Sequence, residues 1–85
     1  MSRFVMYTMH YCPFCRSFSG DFRSLVKGGE EIVLGYDDPR WRSMSIDYVP
    51  TVIEYDGEKE LRRIQARPMR GIPRKDFEGW LAGRC

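Results

Sequence analysis

The chain has 85 residues, of which 42% are hydrophobic, and this predicts one folded domain over residues 1–85 and excludes a disordered chain. The 14 Lys and Arg residues and 12 Asp and Glu residues are mixed along the sequence and leave a formal net charge of +2, which is small for a nucleic-acid-binding protein. The longest strongly apolar run, residues 4–7, is far shorter than the roughly 20 residues of a membrane span, so we expect a cytoplasmic protein without nucleic-acid or membrane partners.

The first two predicted elements are a strand and a helix. Residues 3–8 are rich in β-branched and aromatic side chains and too few for a helix, which predicts a buried strand. Pro13 suits the first turn of a helix, and Lys27 followed by two glycines indicates where this helix ends. The helical spacing of apolar residues predicts one apolar stripe, formed by Phe14, Phe18, Phe22, Leu25 and Val26.

The next two predicted elements are a second strand and a short helix. Residues 31–35 predict a strand, and because a helix separates it from the first strand, the two strands are expected to be parallel. Asp38 followed by Pro39 is a typical helix start, but residues 38–45 contain few apolar anchors and predict only a short helix. We expect Trp41 to belong to the core.

The C-terminal part of the chain predicts a β-hairpin followed by a helix. Residues 51–55 and 60–64 are strand-like runs around an Asp-Gly pair at residues 56–57, so these two strands are expected to be antiparallel neighbours. Pro73 opens a helix whose apolar face holds Phe77, Trp80 and Leu81. The predicted order of elements is βαβαββα, which is an α/β arrangement.

Two cysteines, Cys12 and Cys15, lie where the first predicted strand meets the first predicted helix. Backbone N–H groups and the positive end of the helix dipole stabilise a thiolate at Cys12. Cys15, about one helical turn further along, is close enough to attack a mixed disulfide formed at Cys12. In a reducing compartment this spacing indicates redox chemistry or metal binding, and we favour a dithiol exchange site.

Metal binding is the alternative function for the same two cysteines. A tetrahedral zinc site needs four ligands, and the sequence offers only His10 and the distant Cys85 to complete it. A binding module that uses Cys12 and Cys15, within one chain or between two, therefore stays as the alternative. His10 could instead stabilise the thiolate when protonated, or face solvent. Cys85 is either a free thiol at the chain end or a further redox or crosslinking cysteine.

The sequence resembles the thioredoxin and glutaredoxin superfamily over nearly its whole length. Residues 11–15, Tyr-Cys-Pro-Phe-Cys, are similar to the Cys-Pro-Tyr-Cys motif of dithiol glutaredoxins. Val49, Pro50 and Thr51, at the start of the third predicted strand, resemble the cis-proline loop of the superfamily. The hairpin and the terminal amphipathic helix complete the resemblance, and the order of these features makes it specific.

The resemblance implies a thioredoxin fold, in which a four-stranded mixed sheet is flanked by three helices. It implies that Cys12 is the attacking thiol, that Cys15 resolves the mixed disulfide, and that the Val49–Pro50 peptide bond is cis. The residues implied to contact substrate are Tyr11, Pro13, Val49, Pro50 and Thr51. The implied substrates are disulfides of proteins or small molecules. We expect a monomer without a bound cofactor, regenerated by a thioredoxin reductase-type enzyme or a low-molecular-weight thiol.

Two features with which glutaredoxins hold glutathione are missing from the sequence. Met9 occupies the place of a common Lys or Arg, and residues 65–68, Gln-Ala-Arg-Pro, correspond to a Gly-Gly-x-Asp segment. We therefore expect glutathione to be a poor or secondary reductant. A basic stretch nearby is either a solvated face or a docking site for an acidic partner or for the carboxylates of glutathione. This stretch comprises Arg62, Arg63, Arg67, Arg70 and Arg74.

Overall fold

The computed structural model describes residues 2–83, and its elements follow the predicted order βαβαββα. The strands are β1 (Ser2–Thr8), β2 (Glu30–Val33), β3 (Thr51–Asp56) and β4 (Lys59–Gln65). The helices are α1 (Pro13–Leu25), α2 (Arg40–Ser43) and α3 (Arg74–Leu81). Among the residues described, none of these helices has the length and apolar character needed to cross a membrane.

The four strands form one mixed sheet in the order β2-β1-β3-β4. Strand β1 is parallel to β2 and antiparallel to β3, and β3 and β4 form the antiparallel hairpin that the Asp-Gly pair predicts. The predicted mixed sheet is therefore confirmed. Because β1 and β3 run in opposite directions, the end of β1 and the start of β3 lie at the same edge of the sheet, where Tyr7 pairs with Thr51. This edge carries the candidate site.

One hydrophobic cluster joins the sheet to helices α1 and α3. Met6 from β1 and Phe18 from α1 are buried in it together with Phe77 and Trp80 from α3. The rings of Phe18 and Phe77 meet edge to face, with centroids 4.8 Å apart. This aromatic packing fixes the direction of α1 and so the position of its N-terminus at the edge of the sheet.

A second hydrophobic cluster covers the opposite face of the sheet. Val5 and Tyr7 belong to this cluster, whereas Met6 between them belongs to the first, as the alternation of side chains along a strand requires. Ile46 is buried in the second cluster, and Trp41 packs against it while only partly buried. Trp41 therefore lies at the margin of the core in which it was expected.

Helix α1 ends at Leu25, earlier than the predicted end at Lys27. Val26 leaves the helix with an extended φ of −119°, and its side chain stays buried. The chain then reverses at Gly28, whose φ of +75° lies in the left-handed region that favours glycine. The glycines therefore form the turn toward β2, and they do not cap the helix.

Two further differences concern strand β2 and Phe14. The predicted strand over residues 31–35 is wrong at its end, because β2 stops at Val33, where its partner β1 also stops. Phe14 was expected in the apolar stripe of α1, but 39% of its surface is exposed. Its ring lies against Gly71, where an added Cβ would be 2.9 Å from it. The buried stripe of α1 therefore begins beyond Phe14.

Candidate active site

Cys12 lies in the position that caps the N-terminus of α1. Its backbone is extended, with φ −102°, and its Sγ accepts a hydrogen bond of 3.1 Å from the backbone N–H of Cys15. The same sulfur lies 3.9 Å from the carbonyl oxygen of Val49, to which the protonated thiol donates. The unpaired N–H groups and the dipole of a helix N-terminus favour negative charge. The sulfur of Cys12 thus lies at the positive end of the helix dipole and accepts a backbone N–H.

Cys15 lies one turn further into α1 and is 4% exposed, whereas Cys12 is partly exposed. Burial raises the pKa of the Cys15 thiol to about 12, and the hydrogen bond with Cys12 adds to this effect. A hydrogen bond with the backbone of Met9 acts in the opposite direction. At neutral pH, Cys15 is therefore a protonated thiol behind a more accessible sulfur.

Tyr11 and Pro13 flank Cys12 at the surface. Tyr11 has a φ of +59°, in the left-handed region, and its side chain is 90% exposed. A non-glycine residue in this conformation costs on the order of 1 kcal/mol, and such residues cluster at ligand-binding sites. Pro13 is the first residue of α1, where its missing N–H breaks no helical hydrogen bond. The structure places both residues next to Cys12 with their side chains exposed.

The Val49–Pro50 peptide bond is cis, the isomer that the resemblance implies. Val49 is partly exposed and directs its carbonyl oxygen toward Cys12. Pro50 and Thr51 are buried, and the hydroxyl of Thr51 donates to the carbonyl oxygen of Tyr48 at 2.5 Å. Val49 is therefore accessible to a substrate, whereas the buried Pro50 and Thr51 support the loop from inside.

A groove of about 280 Å³ passes over the two cysteines, with His10 among the residues that line it. The exposed ring of His10 lies beside Tyr11, with the two ring centroids 6.2 Å apart. Cys85, the other candidate ligand, lies outside the described residues. Within residues 2–83, no three His, Cys, Asp or Glu side chains are grouped closely enough to hold a metal ion. A metal site at Cys12 and Cys15 would need ligands from outside this part of the chain.

A tight turn over residues 67–71, the 67–71 turn, follows β4. Two backbone hydrogen bonds of 3.1 Å between Arg67 and Gly71 close it. Met69 at its tip has a φ of +61°, and its side chain is 91% exposed. The Pro and Gly in Arg-Pro-Met-Arg-Gly are a local signal for a turn. The sequence places Arg67 and Arg70 of this turn in the basic stretch, but nothing local indicates that the turn packs against the start of α1.

Tertiary contacts join the 67–71 turn to the segments that carry the two cysteines and the cis proline. Just before the turn, the N–H of Ala66 donates to the carbonyl oxygen of Pro50 at 3.0 Å. At its end, Gly71 packs against the ring of Phe14, which lies between Cys12 and Cys15 in the sequence. The candidate site therefore combines three segments: the start of α1, the cis-proline loop and the 67–71 turn.

Solved structures of thioredoxins share the fold of this chain. The thioredoxin of Malassezia sympodialis superposes with a TM-score of 0.75 at 9% sequence identity, over 98% of this chain and 74% of the other. The thioredoxin of Fasciola hepatica gives 0.69 at 17% identity, over 99% and 81%. The reduced thioredoxin pre-protein of Schistosoma mansoni gives 0.69 at 15% identity, over 99% and 79%. No protein-family model and no curated protein sequence matches this chain. The structural similarities confirm the expected thioredoxin fold.

Proposed function

We propose that this protein is a thiol–disulfide oxidoreductase that reduces disulfides of proteins or small molecules with Cys12 and Cys15. The observation that carries the proposal is the difference between the two sulfurs at the start of α1. Cys12 is accessible and accepts a backbone N–H, whereas Cys15 is buried with a raised pKa. The thioredoxin fold and the Cys-x-x-Cys spacing support a thiol redox role in general.

In the first step, the Cys12 thiolate attacks one sulfur of the substrate disulfide. A bond forms between Cys12 and that sulfur, and the substrate S–S bond breaks. The second substrate sulfur leaves as a thiolate and takes a proton from solvent, which replaces the proton that Cys12 has lost. The carbonyl oxygen of Val49 borders the attacking sulfur at 3.9 Å, so backbone contacts with the substrate chain at this residue would hold the disulfide in place.

In the second step, Cys15 loses its proton and attacks Cys12. The Cys12–Cys15 disulfide forms, and the remaining substrate sulfur leaves and takes up a proton. The dithiol has then given two electrons and two protons to the substrate. Because the pKa of Cys15 is raised, we propose that its proton passes to the substrate sulfur as that sulfur leaves Cys12 and the Cys12–Cys15 bond forms, in one concerted step.

The cycle needs an external electron donor, and we propose no bound cofactor because the two cysteines carry both electrons themselves. The donor is a thioredoxin reductase-type enzyme or a low-molecular-weight thiol. Glutathione is proposed as a secondary donor, because Met9 supplies no cation and residues 65–68 lack the Gly-Gly-x-Asp segment with which glutaredoxins hold glutathione. We propose that the protein acts as a cytoplasmic monomer, since a reducing compartment keeps both thiols available.

Single-cysteine variants and intact-mass spectrometry test the two roles. Cys12→Ser is expected to abolish reduction of a disulfide-bonded peptide and to form no adduct. Cys15→Ser is expected to accumulate a mixed disulfide between Cys12 and one peptide molecule, because the protein then has no second active-site thiol to resolve it. Cys85→Ser is the matched control and is expected to retain turnover. Identical behaviour of the Cys12 and Cys15 variants would contradict the assignment.

The metal-binding alternative is tested on the same protein samples. Elemental analysis measures zinc and iron in the wild type and in the two serine variants after purification under reducing conditions. The redox proposal expects less than one metal ion per two chains and turnover in the presence of a chelator. Stoichiometric metal that is lost in both variants, together with inactivity toward disulfides, would favour the binding module instead.

A further inference from the structure

The arginines of the basic stretch differ in whether carboxylates already neutralise them. Arg62, Arg63 and Arg74 form ion pairs of 2.5 to 3.0 Å with carboxylates of this chain. Arg67 in the 67–71 turn and Lys75 on α3 are exposed and take part in no ion pair among residues 2–83. These two cations are therefore available to a ligand.

The two available cations line one groove between the 67–71 turn and α3. Its volume is about 760 Å³, and its charged residues are Arg67, Arg70, Lys75, Asp76 and Glu78. Asp76 lies 3.8 Å from Arg70, and Glu78 lies 3.4 Å from a neighbouring arginine, so each carboxylate already has a cation beside it. Because Arg74 is shared between Glu78 and Asp21, the three cations and two carboxylates of the groove leave a surplus of one positive charge. We call it the basic groove.

The basic groove and the candidate site lie on either side of the 67–71 turn. The first wall of the groove is the 67–71 turn, which contacts Pro50 through Ala66 and Phe14 through Gly71. From there the groove follows α3 as far as Ala82. An eight-residue helix is about 12 Å long, so a polypeptide that occupies the groove along α3 extends over several residues.

We propose that the basic groove binds an acidic segment of a polypeptide substrate while Cys12 attacks a disulfide next to that segment. This inference rests on the proposed function and names the substrate class of the same site. Carboxylates of the segment pair with Arg67 and Lys75, the guanidinium by two parallel hydrogen bonds and the ammonium as a point charge. The exposed Met69 at the tip of the turn precedes Arg70, which lines the groove, and its flexible side chain suits varied apolar contacts with such a substrate.

The test uses three peptides that share one intramolecular disulfide and differ only in an adjacent run of glutamates, serines or lysines. Binding is measured by fluorescence anisotropy on versions of the peptides in which serine replaces both peptide cysteines. The measured affinity is then independent of disulfide exchange. Reduction is measured separately on the disulfide versions. At about 50 mM salt, the wild type is expected to bind the glutamate peptide roughly 3- to 10-fold more tightly than the serine peptide.

Two variants test whether the preference for the glutamate peptide arises from the basic groove. In the double variant Arg67→Gln/Lys75→Gln, the ratio of glutamate-peptide to serine-peptide affinity is expected to fall to less than about twofold. Lys27→Gln is the matched control, because it removes an exposed charge beyond the C-terminal end of α1, and it is expected to retain the ratio. Circular dichroism confirms that each variant is folded.

Each outcome decides a separate claim. A wild-type ratio near one, or a ratio that survives in the double variant or disappears in Lys27→Gln, would overturn the basic groove as the binding site. Glutathione disulfide displacing the glutamate peptide at equal concentration would show that small anionic thiols suffice and would overturn the polypeptide assignment. Selective binding without reduction of any disulfide peptide would support the groove and contradict the proposed function.

Discussion

At the scale of single residues, the candidate site depends on the sulfur of Cys12, which both caps helix α1 and is accessible for attack on a disulfide. Cys12 caps α1 by accepting the N–H of Cys15, a position that Ser, Thr, Asp or Asn usually occupies. The first turn of α1 contains no acidic residue, so no carboxylate there opposes a thiolate. The left-handed backbone of Tyr11 turns the chain from β1 into this cap. The sulfur that caps the N-terminus of α1 is therefore also the sulfur available for attack.

The pH dependence of Cys15 alkylation tests how strongly its environment disfavours the thiolate. In the variant Cys12→Ser/Cys85→Ser, Cys15 is the single cysteine, and burial, the larger cause of its raised pKa, is retained. Only the thiolate reacts with iodoacetamide, so the rate is expected to rise roughly tenfold per pH unit from pH 7 and not to level off by pH 10. Quenched-sample mass spectrometry measures it. A plateau near pH 9, close to the value of an exposed cysteine, would contradict the burial argument.

At the scale of elements, the contact between α1 and the 67–71 turn fixes one wall of the site. Gly71 allows this contact in two ways. Its φ of +70° is easily adopted only by glycine, and its missing side chain leaves space for the ring of Phe14. Farther along α1, Asp21 accepts a hydrogen bond of 3.0 Å from Arg74 at the start of α3. The first turn of α1 and the entry to α3 therefore hold each other in place.

Substituting alanine at Gly71 and at Gly57 separates the cost of the left-handed backbone from the cost of crowding by the added Cβ. Both residues are left-handed, but a Cβ at Gly57 would meet nothing within 4 Å, whereas at Gly71 it would lie 2.9 Å from the Phe14 ring. Gly57→Ala is expected to lower the free energy of unfolding by about 1 kcal/mol through backbone strain alone. Gly71→Ala is expected to cost roughly 1 kcal/mol more because of the added crowding. Urea unfolding measures both.

A double variant provides the control for this comparison. If crowding against the ring causes the additional loss, Phe14→Ala should remove the excess cost of Gly71→Ala and leave the cost of Gly57→Ala unchanged. Equal losses at the two glycines, or an excess that persists without the ring, would show that Phe14 does not constrain the turn.

Elements that local signals encode follow from the sequence, and features that depend on distant residues do not. The order of elements, the parallel pair and the hairpin could be predicted, because side-chain periodicity and an Asp-Gly turn are local signals. The exposure of Phe14 could not be predicted, because it depends on contact with Gly71, which is distant in sequence. The end of β2 at Val33 depends on where its partner strand stops. The two cysteines and the cis-proline loop were predicted, because motifs in the sequence mark them, whereas the packing of the 67–71 turn against these segments depends on tertiary contacts.

At the scale of the whole molecule, two hydrophobic clusters share the inner strands β1 and β3. Met6 and Val52 belong to the cluster beneath α1 and α3, and Val5 and Ile53 belong to the cluster on the other face. A chain of this length buries only about 60% of its unfolded surface, so neither cluster is large enough to be stable by itself. The edge that carries the candidate site is therefore held from both faces of the sheet.

The two tryptophans report on the two clusters separately, and their unfolding tests whether the chain is one cooperative domain. Trp80 is buried in the first cluster, and Trp41 packs against the second. In Trp41→Phe and in Trp80→Phe, the remaining fluorescence is compared with far-ultraviolet circular dichroism during urea unfolding. Within each variant the two signals are expected to have the same midpoint, because losing either cluster exposes strands that the other cluster needs. Trp80→Phe also weakens the stacking of the Arg62 guanidinium, which lies 4.3 Å from the centre of the Trp80 ring, so its urea midpoint is expected to be lower than that of the wild type in both signals. A fluorescence transition that precedes the dichroism transition in either variant would show that one face of the sheet unfolds independently of the other.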